Sequence, residues 1–251
     1  MELRKYHITT APFLSKIEGK KGLLRKSVNY PYFIRNGIKN SDILKLTTNY
    51  FKNNFSEKMV KIMKVYSKFE DKYPETKTVK LGKFIETQPT DYYLKAEDDY
   101  QFLQELGLEN SIYELFESEI GKNGIYRSLS FWMGFDQTKT SLHYDTDYYN
   151  VLGVIEGEKE VFFIHPKERE NIYQMKRSYP GSSWSYVDLW DPDYQKYPFF
   201  KKVKIMKITL KRGDLLFIPP YWWHAVRNKG KTVAFTYHYY TFASIFSFGL
   251  L

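Results

Sequence analysis

Two histidines and one aspartate have the residue types and the spacing of a metal site. His143 and Asp145 are separated by one residue in the segment TKTSLHYDTDYYN. Residues i and i+2 of an extended strand share a face, so this imidazole and this carboxylate are expected to point the same way. His224, in GDLLFIPPYWWHAV, follows a predicted strand and a Pro-Pro turn, where the mouth of a barrel would bring it beside His143.

Two histidines and one carboxylate on one face of Fe(II) leave three coordination positions open. Two of these positions suit a chelating 2-oxo acid and the third suits O₂. A His-x-Asp tripeptide also arises often by chance, so the spacing alone is compatible with a surface histidine and a turn aspartate. The chain has five histidines in all, and we expect His165 to be structural and His7 to be solvated.

The composition is that of a globular protein and narrows the possible chemistry. The 251-residue chain is 43% hydrophobic and contains no cysteine, which excludes disulfides, thiolate zinc sites and a cysteine nucleophile. Its net charge of +9 would suit an acidic partner such as nucleic acid. Because the charge is spread along the chain, a lysine-rich surface that favours solubility is the preferred explanation.

The chain shows no sequence feature of membrane insertion. The N-terminal segment MELRKYHITTAPFLSKIEGKK lacks the apolar stretch of a signal peptide. No apolar run approaches the roughly 18 residues of a membrane span, and the apolar end FASIFSFGLL is expected to pack onto the domain. These features predict a soluble intracellular protein, cytoplasmic or nuclear.

The N-terminal portion, residues 1–120, is predicted to be mixed with helical stretches. SDILKLTTNYFKNNF begins with a Ser41-Asp42 cap signal and places Ile43, Leu46, Tyr50 and Phe51 at helical spacing. EDDYQFLQELGL and NSIYELFESEI are also predicted to be helices.

Short segments rich in β-branched and aromatic residues follow, and they predict a core of strands over residues 125–245. The segments are SLSFWMGF, NVLGVIEG, KEVFFIHP, VKIMKITL, GDLLFIP and KTVAFTYHYYTF. Turn residues separate them: Gly157-Glu158, Pro166, 211–214, Pro219-Pro220 and 228–230. We predict a mostly β fold with a helical N-terminal part, in which residues 1–251 form a single domain around a double-stranded β-helix, or jelly-roll, barrel.

Four of these stretches also resemble a known family. WMGFDQTKTSLHYD, NVLGVIEGEKEVFFIHP, VDLWDPDYQKYPFF and LKRGDLLFIPPYWWHAV occur in the order and with the approximate spacing of the JmjC and cupin-like oxygenases, especially their small hydroxylase branch. PYFIRNG and DYYLKA extend the resemblance towards the N-terminus. The resemblance implies an Fe(II)- and 2-oxoglutarate-dependent dioxygenase with His143, Asp145 and His224 as iron ligands.

The resemblance also implies residues for binding 2-oxoglutarate. Thr140, three residues before the first histidine, and Tyr93 match positions whose hydroxyls contact this cosubstrate. Lys159 matches the lysine that pairs with its distal carboxylate. Asn150 matches an asparagine near its metal-chelating end, and His238 stands where relatives often have asparagine.

The sequence departs from the family pattern in two respects. The interval from His143 to Asn150, and likewise to Lys159, is one residue longer than in many relatives. A one-residue slip reverses the facing of side chains, so either a bulge absorbs it or Tyr148 or Tyr149 faces the site instead. The second departure is His238, which is expected either to contact the cosubstrate or substrate or to be a structural histidine of the barrel.

The resemblance leaves the substrate open. Hydroxylation of a protein side chain is the first expectation, because small JmjC proteins without further domains tend towards it. RNA nucleoside hydroxylation is the alternative that suits the charge and the aromatic content. Histone lysine demethylation ranks third, since a basic protein repels a basic tail. A non-catalytic cupin-like binding protein would require a broken metal triad or the loss of Lys159.

Overall fold

The computed structural model describes residues 8–10, 29–66, 75–97, 105, 116, 124–146, 149–175 and 182–241. The helices predicted over 97–108 and 110–120 therefore fall mostly outside the described residues, although Glu105 and Phe116 are helical. Glu97 ends a strand and does not begin a helix. The C-terminal segment 242–251 also lies outside the described residues.

The described residues form strands for the most part. The strands are β1 (Ile8–Thr10), β2 (Tyr32–Ile34), β3 (Met59–Lys64), β4 (Thr76–Lys80), β5 (Tyr92–Glu97), β6 (Gly124–Gly134), β7 (His143–Asp145), β8 (Tyr149–Ile164), β9 (Ser182–Trp184), β10 (Ile205–Lys211), β11 (Leu215–Ile218) and β12 (Trp223–Thr241). The α-helices are α1 (Thr48–Phe55) and α2 (Leu81–Thr87), and 3₁₀ helices cover Asp42–Lys45, Pro166–Asn171 and Pro198–Lys202.

The strands are hydrogen-bonded in the order β1-β10-β8-β12-β6-β5-β3-β4, with β7 beside β12 and β11 beside β8. Every described pairing is antiparallel except β1 with β10. The predicted fold class, a mostly β cupin-like jelly roll, is confirmed. The N-terminal portion contributes strands β2 to β5 as well as helices, and the division near residue 120 stays a prediction.

The predicted helix over SDILKLTTNYFKNNF is interrupted. Ser41 caps a 3₁₀ helix, and a second cap at Thr47 starts α1. The Glu156 carboxylate accepts hydrogen bonds from the backbone N–H and the hydroxyl of Thr48. An acidic group at a helix N-terminus is favourable, so Glu156 attaches α1 to strand β8.

Two predicted turns are wrong, because they lie inside the longest strands. Gly157-Glu158 belongs to β8 and residues 228–230 belong to β12, and these strands remain paired past both positions. Gly157 has a φ of +76°, and a Cβ there would lie 2.0 Å from the Lys231 carbonyl oxygen. The register between β8 and β12 shifts near this point, so the chain bulges and continues instead of reversing.

The bulge decides which side chains of β8 share a face. Leu152 and Val154 before it pack in one buried cluster with Val161 and Phe163 after it. These four residues define what we call the inner face of β8. Alternation along the strand on either side of the bulge places Asn150 and Lys159 on this face. In a regular strand, two residues nine positions apart would point to opposite faces.

No helix in the described part of the chain is long and apolar enough to cross a membrane.

Candidate metal centre

His143, Asp145 and His224 lie together where β7 meets β12. His143 is directly opposite His224 in the antiparallel pair, and their ring centroids are 4.3 Å apart. Asp145 is on the same face of β7 as His143, and its Oδ2 is 3.5 Å from His224 Nε2. One nitrogen or oxygen atom from each of the three residues lies within 4.8 Å of the others, so the group could hold a metal ion.

Backbone carbonyl groups orient both imidazole rings. The distance from His143 Nδ1 to the Ser141 carbonyl oxygen is 2.8 Å, and that from His224 Nδ1 to the Trp222 carbonyl oxygen is 3.0 Å. A neutral imidazole that donates from Nδ1 keeps its lone pair on Nε2, the atom available to a metal. This arrangement is typical of metal-binding histidines.

The electrostatics of the three residues favour a cation. Burial, together with the neighbouring His143, lowers the pKa of His224 to about 4, so His224 is neutral at pH 7. Burial by itself raises the pKa of the Asp145 carboxyl, but attraction to His143 and His224 in their protonated forms outweighs it. Contributions from His238 and Lys95 act in the same direction, and the net pKa of Asp145 is below its usual value. The aspartate is therefore ionised at pH 7.

Asn150 reaches this group of side chains. Its Nδ2 donates to Asp145 Oδ2 over 2.8 Å, while its buried Oδ1 has no hydrogen-bond partner among the described residues. The longer interval after His143 thus leaves Asn150 facing the aspartate. Tyr148 and the side chain of Tyr149, the alternatives to Asn150, lie outside the described residues.

Lys159 lies at the other end of the inner face. His224 and Asn228 are opposite Phe163 and Lys159, so the lysine is four residues, or about 13 Å of strand, from the metal group. Its side chain is buried, with 7% of the residue exposed, and Nζ donates to Asn228 Oδ1 over 2.9 Å. Burial lowers the pKa of the ammonium to about 8, and it remains largely charged at pH 7.

Thr140 lies between these two ends. Its backbone N–H donates to the Val226 carbonyl oxygen, and its Oγ1 accepts from the Val226 N–H over 2.9 Å. A hydroxyl that accepts one bond keeps its proton to donate. The structure therefore pairs Thr140 with the strand that carries both His224 and Asn228.

Tyr93 and His238 lie on a row of polar and aromatic side chains that crosses three strands. Tyr93 stacks on Trp132 with 5.8 Å between the ring centroids, and Trp132 Nε1 donates to Thr236 Oγ1. The same hydroxyl is 3.1 Å from His238 Nε2. His238 is opposite Asn150 in the strand pair.

Sequence reasoning missed four residues of this region: Lys95, Trp132, Trp184 and Asn228. Lys95 lies over the Trp132 ring, and Trp184 stacks near His143 with 6.3 Å between the ring centroids. The spacing of Tyr93 and Lys95, two residues apart on one strand, was an available signal. Asn228 gave none, because it was assigned to a turn.

His165 and the two tryptophans that precede His224 have packing roles. His165 Nδ1 accepts from the Lys167 N–H and thereby caps the 3₁₀ helix Pro166–Asn171. Its ring also packs edge-on against Trp222. Trp223 is buried and contacts Tyr144. His7 lies outside the described residues.

A family model described as a cupin-like domain matches residues 25–245. The chain belongs to the cupin-like domain family. Members of this family, which includes the JmjC proteins, are typically Fe(II)- and 2-oxoglutarate-dependent oxygenases or demethylases.

Several curated relatives carry JmjC names. The chain is 38% identical over 97 residues to JmjC domain-containing protein D of Dictyostelium discoideum, a match that covers 39% of this chain and 21% of the relative. It is 25% identical over 216 residues to Jumonji C domain-containing protein 5 of Drosophila melanogaster, a match that covers 85% of this chain and 50% of the relative. It is 35% identical over 109 residues to Lysine-specific demethylase JMJ31 of Arabidopsis thaliana, a match that covers 43% of this chain and 20% of the relative. The chain thus spans half or less of the length of these relatives.

Proposed function

We propose that this protein is an Fe(II)- and 2-oxoglutarate-dependent oxygenase that hydroxylates a side chain of a protein substrate. The observation that carries the proposal is the arrangement of one buried face. A His-Asp-His group lies at one end of it, and the buried ammonium of Lys159 lies about four residues of strand away.

The residues present fit an Fe(II) ion. Their donor set is two imidazole nitrogens and one carboxylate, which is the set of the facial triad of non-heme iron oxygenases. Carbonyl groups already fix both rings through Nδ1, and Asn150 fixes the carboxylate. Bound iron and 2-oxoglutarate would supply O₂ activation and C–H oxidation, with succinate and CO₂ as coproducts.

The protein's own residues would bind and orient the cosubstrate. Lys159 would pair with the carboxylate distant from the metal in a charge-assisted bond inside the barrel. Thr140 could donate its hydroxyl proton to the same ligand, and Tyr93 and His238, on the neighbouring strands, would line its approach. Val161, which is fully buried between Phe163 and Lys159 on the same face, would exclude water from the wall between the two ends.

One observation favours a protein substrate: a relative is named a lysine-specific demethylase, and lysine is an amino acid of proteins. The net charge of +9 disfavours a lysine-rich protein tail as substrate but suits either RNA or a less basic protein segment, so it does not separate these two substrates. Peptide and RNA libraries assayed for succinate release would compare this proposal with RNA hydroxylation, and turnover of RNA alone would contradict it.

The iron centre is tested first by anaerobic titration of Fe(II) and 2-oxoglutarate. A chelated 2-oxo acid on such an iron is expected to give a weak visible charge-transfer band. We expect the band in the wild type and in His165→Ala, a control histidine with a packing role, and its loss in His143→Ala. Folded wild-type protein without a band would favour a non-catalytic binding protein.

A further inference from the structure

The partner of the buried Lys159 ammonium is a neutral amide. Lys159 Nζ donates a hydrogen bond to Asn228 Oδ1, and no described carboxylate forms an ion pair with it. The acidic residues on either side of it in the sequence, Glu158 and Glu160, pair instead with cations such as Lys229 and Arg227. The positive charge of Lys159 is thus not neutralised within the described residues.

The backbone of Asn228 is fixed on both sides. The backbone N–H of Asn228 donates to the Thr138 carbonyl oxygen over 2.8 Å, and the backbone carbonyl oxygen of Asn228 accepts from the Gln137 N–H over 3.1 Å. Asn228 is only 5% exposed. A Cβ at Gly134 would lie 2.6 Å from Asn228 Nδ2, so the amide fits because residue 134 is glycine.

We infer that Asn228 is a positioning and specificity residue, because it holds the Lys159 ammonium in place without neutralising its charge. The remaining positive charge makes the site select 2-oxo acids that have a second carboxylate over those that lack one. This inference rests on the proposed function and adds to it the source of its cosubstrate selectivity. An amide oxygen accepts a hydrogen bond but carries no net charge. A carboxylate at position 228 would form an internal ion pair and weaken attraction to an incoming anion.

The test measures selectivity, which a merely structural role would not change. Dissociation constants of 2-oxoglutarate and of 2-oxopentanoate, which has a methyl group in place of the distal carboxylate, are measured by calorimetry on Mn(II)-loaded protein. We expect Asn228→Asp to weaken 2-oxoglutarate binding at least about tenfold, in line with the loss of one hydrogen bond to a charged group, and to leave 2-oxopentanoate binding within about twofold. Asn53→Asp, the same change on the exposed surface of α1, should match the wild type.

A second variant protects the test against misfolding. Gly134→Ala displaces the Asn228 amide without changing any charge, and it should also weaken 2-oxoglutarate binding more than 2-oxopentanoate binding. Folded variants that keep the wild-type ratio of the two dissociation constants, or that weaken both ligands equally, would overturn the inference. Wild-type protein that binds Mn(II) but not 2-oxoglutarate would instead refute the proposed function, and the inference with it.

Discussion

Replacing Lys159 by methionine should weaken cosubstrate binding without weakening the fold. Burial lowers the pKa of this lysine from 10.5 to about 8, which corresponds to about 3 kcal/mol of unfavourable free energy for the charged folded state. Methionine removes this cost but leaves Asn228 Oδ1 without its donor, a loss of about 1–3 kcal/mol. The free energy of unfolding at pH 7 should therefore be equal to that of the wild type or about 2 kcal/mol higher.

The stability difference between Lys159→Met and the wild type should depend on pH. Between pH 8 and 10.5 the unfolded chain holds a proton on Lys159 that the folded chain has lost, so this lysine makes the wild type more stable as pH rises. From pH 7 to 9.5 the gain is roughly 2 kcal/mol, and Lys159→Met lacks it. The stability advantage of the variant should consequently shrink at pH 9.5.

Denaturant unfolding at the two pH values and calorimetry with 2-oxoglutarate check the prediction. Loss of one charge-assisted hydrogen bond should weaken 2-oxoglutarate binding roughly 10- to 150-fold. Lys61→Met, at an exposed position of β3, is the matched control and should change neither quantity appreciably. A variant that is strongly destabilised at pH 7 yet binds 2-oxoglutarate like the wild type would show that Lys159 is structural, and would refute the reasoning.

Two further substitutions test the elements that position the site. Gly157→Ala places a Cβ 2.0 Å from the Lys231 carbonyl oxygen at a φ of +76°, and denaturant unfolding should show a loss above the roughly 1–2 kcal/mol expected from the left-handed conformation alone. Gly230→Ala, at a φ of +73° with no atom within 4 Å, should lose only that smaller amount, and equal losses would argue against a steric role for Gly157. Asn150→Ala removes the hydrogen bond to Asp145 and should weaken Mn(II) binding about 10- to 100-fold in a calorimetric titration, whereas unchanged binding would remove Asn150 from the metal site.

The spacing of residues along a single strand was the basis for predicting that His143 and Asp145 lie together. His143 and Asp145 share a face because alternate residues of any strand do, whatever the strand pairs with. Short β-branched segments separated by turn residues predicted a jelly roll for similar reasons. The distant partner His224 was placed by the family resemblance and by its position after a strand, since periodicity contains no information about which strands meet.

Local pattern failed where long-range pairing outweighed it. Gly157 and the segment 228–230 have the residue types of turns, yet β8 and β12 stay paired past both. The backbone hydrogen bonds and the buried cluster on either side stabilise a bulge over a reversal.

That bulge explains the division between what could and what could not be predicted. Residue types and spacing were enough for the fold class and for the shared face of His143 and Asp145, because both follow from periodicities of two residues along single strands, whereas His224 also required the family resemblance. Register between strands distant in sequence determines three further features. They are the face on which Lys159 lies, the hydrogen bond from Lys159 to Asn228 and the space that Gly134 leaves for the Asn228 amide. Register is a property of paired strands, so these contacts became visible only in the folded chain.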